Sequence, residues 1–130
     1  MTHHRHAVTA PGAPDAAGPY SHAVRAGGLL FCSGQVPLDP ATGTLVDGSI
    51  GDQTRRCLEN LKLVCAEAGA TLDDAVRMGI YVTDISTFAQ VNEAYGAFFG
   101  DEPPARSTIG VAALPLGARV EIDAVVALAG

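Results

Sequence analysis

The chain has 130 residues, 48% of them hydrophobic, and carries a net charge of -6, enough for one domain with its own core and no need of disulfides or a structural metal. Eight lysines and arginines dispersed along an acidic chain, with no tryptophan and few other rings, disfavour nucleic acid as a partner. No apolar run approaches the ~18 residues of a membrane span, and the first ten residues lack the apolar centre of a signal peptide.

In chain order, residues 1–14 read as a mobile leader before a single domain over 15–130. His3, His4 and His6 have metal-ligating chemistry, but a Pro/Gly/Ala-rich terminus gives them no fixed geometry. Ala23–Ala26 and Leu29–Ser33 read as two strands joined by the turn dipeptide Gly27-Gly28. Residues 34–43, with two prolines and two glycines, break regular structure. From about Gly51 a helix is expected, because Thr54, Cys57, Leu58, Leu61, Val64, Cys65 and Ala68 follow the helical repeat. Ser49 or Asp52 can cap its start and Gly69 its end.

Val76–Thr83 alternates with period two and reads as a strand. A second helix begins near Ser86 with Phe88, Val91, Asn92, Tyr95, Phe98 and Phe99 inward, and Gly100 and Pro103-Pro104 stop it. Two further strands open at Arg106 and Val120. The order β-β-α-β-α-β-β predicts an α+β fold, a mixed sheet with both helices on one face.

Two charged residues interrupt the last two strands. Glu121 alternates with Val120 and Ile122, and Arg106 opens the segment Arg106-Ser107-Thr108-Ile109. Both are expected on the sheet face that the helices leave bare, with Tyr81, Val125 and Ala127. Such a partly apolar face is expected to be covered by another copy of the chain. An arginine grips a carboxylate in a bidentate fork that lysine cannot reproduce. A glutamate in partly apolar surroundings can take a proton from water. The pair therefore suits hydrolysis beside a carboxylate; a simple ion pair, within the chain or across an interface, is the competing explanation.

Asn92 is the polar exception in its helical stripe, able to meet a ligand or a nearby backbone carbonyl. Tyr20, Ser33 and Gly34 are turn residues suited to a pocket rim. Cys32, Cys57 and Cys65 form no CxxC pair and read as reduced thiols of a cytoplasmic protein. No basic neighbour activates Cys32, and Ser33 with His22 lacks a third member for a nucleophilic triad.

Taken together, Gly18-Pro19-Tyr20-Ser21, Ser33-Gly34-Gln35-Val36-Pro37, Pro40-Ala41-Thr42-Gly43, Asn92-Glu93-Ala94-Tyr95, Pro104-Ala105-Arg106-Ser107 and Val120-Glu121-Ile122 closely resemble the Rid family, also called YjgF or L-PSP. The resemblance implies a chorismate-mutase-like fold, a homotrimer whose sheets form an inner barrel, and clefts between subunits. It implies cofactor-free, metal-free hydrolysis of enamines or imines such as 2-iminopropionate to a 2-oxo acid and ammonia. Arg106 would bind the substrate carboxylate and Glu121 would position or activate water. Tyr20, Ser33, Gly34 and Asn92 would line the cleft, and the Thr108 backbone would help fix the substrate. Thr108 departs from the cysteine often found there in members acting on iminopropionate, which bears on the substrate rather than the reaction. Some relatives are described as endoribonucleases or translation inhibitors, and a noncatalytic metabolite-binding trimer is the other reading.

Overall fold

The computed structural model describes residues 4–129, in which six strands and two main helices follow the sequence. The strands are β1 (His6–Val8), β2 (Ala23–Ala26), β3 (Leu29–Gln35), β4 (Ala75–Val82), β5 (Ala105–Gly110) and β6 (Val120–Ala127). The helices are α1 (Ile50–Glu67) and α2 (Phe88–Gly96). The sheet runs β1-β2-β3-β6-β4-β5, antiparallel except for the β4–β5 pair at one edge. No helix among the described residues is long and apolar enough to cross a membrane.

α1 forms where its repeat and its caps agree. The Ser49 hydroxyl accepts from the Asp52 N–H at 3.1 Å, and the Asp52 carboxylate accepts from the Ser49 N–H at 3.1 Å, a reciprocal capping box. At the other end Gly69 takes φ 73°, and the Gly69 and Ala70 N–H groups bond back to the carbonyls of Ala66 and Cys65. Only a residue at ease in the left-handed region closes a helix in this way. Cys57, Leu58, Leu61, Val64 and Cys65 are fully buried against Met78, Ile80, Val82, Val120, Ile122 and Val126 of the sheet. α2 is shorter than its apolar stripe: Val91 and Tyr95 are buried, Phe98 and Phe99 pack beyond its end, and Phe88 is 42% exposed. All three cysteines are free and buried, and the neighbouring Cys65 thiol together with burial pushes the Cys32 thiol up.

The structure corrects two expectations. The first is the mobile leader. His3 lies outside the described residues, but His6–Val8 pairs with β2, and Val8, Ala10 and Ala13 enter the core. His22 pins this segment: its Nδ1 accepts from the Ala10 N–H at 2.9 Å, and its Nε2 donates to the Pro14 carbonyl at 2.8 Å. The free edge of β2 and three small apolar side chains are enough to order a segment whose composition suggests none.

The second concerns which face Arg106 occupies. On β6, Glu121 stands opposite Tyr81 on the bare face, as expected. On β5, Arg106 stands opposite Met78 and Thr108 opposite Ile80, both fully buried beneath the helices, whereas Ser107 and Ile109 stand on the bare face beside Gly79 and Tyr81. Arg106 and Glu121 therefore project from opposite faces of the sheet. Alternation fixes parity within a strand, but only the register with its neighbour assigns parity to a face.

Candidate active site

The Arg106 half is built by α2 against β5. The Arg106 guanidinium carbon lies 4.7 Å from the centre of the Tyr95 ring and 5.6 Å from that of Phe88, and Nη2 donates to Asn92 Oδ1 at 2.6 Å. Two rings and one amide hold a cation whose remaining N–H groups are available to an anion. A cavity of about 380 Å³ opens beside it, lined by Asn92, Tyr95, Phe99, Pro103, Pro104 and Arg106. Asn92 thus orients Arg106 instead of serving a backbone carbonyl. Thr108 shares the face of Arg106, and its Oγ1, like the Tyr95 hydroxyl, is buried without a hydrogen-bond partner.

The Glu121 half is built by a bulge. Between the pairs Cys32↔Ala124 and Gln35↔Ile122, β3 advances three residues while β6 advances two, so Ser33 and Gly34 together face Asp123. The Ser33 hydroxyl donates to the Ser21 carbonyl at 2.7 Å and its N–H donates to the His22 carbonyl at 3.0 Å, which fixes the bulge. Gly34 then lies against Glu121, where a Cβ would collide with the carboxylate. Half-burial, and after it the charge of Asp123, push the Glu121 carboxyl above its ordinary value.

A small cleft of about 40 Å³ joins Glu121 and Gly34 to Tyr20, His22, Asp15 and Leu116. Tyr20 is 48% exposed, and its hydroxyl accepts from the Ala17 N–H at 3.1 Å. With both ring nitrogens engaged, His22 is not available as a base for Ser33. Sequence reasoning missed Leu116, which stands 58% exposed at φ 62° in the turn Pro115–Gly117. A branched residue in the left-handed region is costly, and its place at the rim of the Glu121 cleft was signalled only by the Leu-Pro-Leu-Gly run.

The structure therefore joins Arg106, Asn92 and Thr108 in one group and Tyr20, Ser33, Gly34 and Glu121 in another, and separates the two by the sheet. The model of the family described as Endoribonuclease L-PSP matches residues 10–128. The chain belongs to the Rid family, also called YjgF or L-PSP. Protein DfrA of Myxococcus xanthus is 50% identical to this Rid protein over 93% of its chain and 94% of the relative. A RutC family protein of Pyrococcus horikoshii is 45% identical over 87% and 90%. Among solved structures, a Rid-family protein of Yersinia pestis superposes with TM-score 0.91 at 43% identity, covering 95% of this chain and 99% of that one. E. coli TdcF with bound serine gives TM-score 0.89 at 36% identity, covering 95% and 99%.

Proposed function

We propose that this Rid protein hydrolyses reactive 2-imino acids, and the enamines in equilibrium with them, to 2-oxo acids and ammonia, in clefts formed between copies of itself. The observation that carries the reading is the Arg106 fork, held between aromatic rings by Asn92 beside a mostly apolar cavity. Such a seat fits one small carboxylate with a short side chain better than a track of phosphates, which argues against the ribonuclease reading that the family's name carries. Support also comes from the related TdcF structure, which holds serine, a molecule of this size with one carboxylate.

Arg106 and Glu121 stand on opposite faces of one chain, so a cleft that uses both needs two copies. The bare sheet face offers the surface: Phe31 and Ile109 are 46% and 48% exposed there, alongside Val125 and Tyr81. A homotrimer with its sheets inward would cover this face and bring the β5 edge of one copy to the Glu121 cleft of the next.

In that cleft the substrate carboxylate lies on Arg106. Glu121 takes a proton from water as the water oxygen bonds to the imine carbon, and the C=N π pair moves to nitrogen. The proton passes from Glu121 to that nitrogen. Glu121, again a carboxylate, then takes the hydroxyl proton of the carbinolamine and delivers it to the nitrogen as the C–N bond breaks, so that ammonia leaves and a 2-oxo acid remains. The test is release of 2-oxo acid from imines made in situ by an amino-acid oxidase, compared with uncatalysed hydrolysis. Acceleration that disappears in Arg106→Ala and Glu121→Gln supports the reading. Binding of 2-oxo acids without any acceleration indicates a metabolite-binding trimer instead.

A further inference from the structure

The bare sheet face carries an interaction that the mechanism above does not use. Tyr81 and Glu121 are direct cross-strand partners, and Gly79 and Asp123 form the neighbouring pair on the same face. The Tyr81 hydroxyl reaches diagonally to donate to Asp123 Oδ2 at 3.0 Å. Gly79 makes this reach possible, because a Cβ there would run into Asp123 and stand 2.8 Å from the Tyr81 hydroxyl. Asp123 is thus held on the same face as Glu121, two positions along one strand, where like charges repel. A glycine and a phenol together keep a second carboxylate where a lone one would be the ordinary choice.

We propose that Asp123, tethered by Tyr81, is a positioning residue that keeps Glu121 basic enough to take a proton from water. It acts through Glu121 and touches no reacting atom, and its catalytic consequence rests on the reading of Glu121 given above. Within one chain the groups facing Glu121 are few, and in the proposed trimer Arg106 of the neighbouring copy joins them. β3 presents the uncharged Ser33 and Gly34. β4 presents Tyr81, with Arg77 further along. The segment before β2 presents Asp15, Tyr20 and the doubly bonded His22, and the turn Pro115–Gly117 presents none that ionise. After the burial of Glu121 itself, the charge of Asp123 is what raises its proton affinity. Tyr81 remains the donor, because burial and the Asp123 carboxylate both hold its proton in place.

The experiment follows the Glu121 carboxyl by carbon NMR titration, identified by its loss in Glu121→Gln, together with the acid limb of kcat/KM for imine hydrolysis. Asp123→Asn keeps an acceptor for the Tyr81 hydroxyl and so preserves the fold. It is expected to move the Glu121 midpoint and the acid limb to lower pH together. Asp73→Asn, which removes the same charge from an exposed site before β4, moves neither. A purely structural role for Asp123 would lower the rate at every pH without moving the limb. A midpoint unmoved in Asp123→Asn while wild type hydrolyses imines overturns this inference alone. A midpoint that moves in a protein without hydrolysis overturns the reading of Glu121 as base, and the positioning role with it.

Discussion

Arg106 stands opposite Met78 beneath α2, while Glu121 stands opposite Tyr81 on the bare side of the same sheet. On the proposed function the sheet separates a carboxylate grip from a carboxylate base, and each would reach the other only through a second copy of the chain. This arrangement leads to predictions about each half and about their meeting.

Arg106→Lys keeps the charge but loses the planar fork and its stacking on Tyr95. kcat/KM should fall about 10- to 100-fold, as expected for losing a charge-assisted hydrogen bond. Asn92→Ala, which frees the guanidinium without removing it, should give a smaller fall, mostly in KM. Steady-state kinetics on one imine compare the two directly.

Glu121 has a clear sign in pH. Its folded-state proton affinity is raised, so the carboxylate needed for catalysis appears only as pH rises through that raised value, and turnover falls below it. For stability the same shift favours the protonated fold. Stability is greatest below the unfolded-state pKa and declines as pH rises through the folded one. Glu121→Gln should therefore melt higher than wild type near pH 7, with the gap closing below about pH 4. Its turnover should fall by about 10²- to 10⁴-fold while 2-oxo acid binding persists. Thermal melts and binding titrations at both pH values check this.

Gly34→Ala should abolish turnover with little change in stability, because its Cβ falls on the Glu121 carboxylate and drives that flexible side chain out of place. Gly96→Ala is the contrast: that position lies in α2 with nothing within 4 Å of the added atom, and the change should stabilise by about 0.5–1 kcal/mol. Denaturant melts should shift upward for Gly96→Ala, while Gly34→Ala shows its effect in activity assays.

Asn60 is fully buried, and its amide donates to the Leu38 carbonyl at 2.9 Å while its Oδ1 accepts from Arg56 Nε at 3.0 Å. Asn60→Leu leaves those groups unpaired and should cost about 2–4 kcal/mol. The segment it holds, Val36 to Leu38, borders the Glu121 cleft, so hydrogen exchange there should quicken along with the loss.

Much of this structure was legible from residue order. α1 carried its full helical repeat, a capping box and a closing glycine, three local signals that agree. β6 showed strict alternation around Glu121, and the resemblance of six short segments indicated the fold. Three features were not legible, each for a physical reason. β1 is three residues long and is held by an edge and by His22, both remote in sequence. The face of Arg106 depends on the β4–β5 register, and an exposed Ile109 made the wrong parity look natural. The Tyr81–Asp123 bond spans 42 positions and depends on Gly79, whose role shows only once β4 and β6 are side by side.

The most direct measurement is complementation between two inactive variants. Arg106→Ala and Glu121→Gln, each without turnover alone, are co-expressed with different tags, and mixed trimers are purified through both. If each cleft draws Arg106 from one copy and Glu121 from its neighbour, every mixed trimer holds one restored cleft of its three and should recover roughly a third of wild-type activity. Mixed trimers as inactive as their parents would contradict the account, because they would mean that no cleft combines Arg106 of one copy with Glu121 of another.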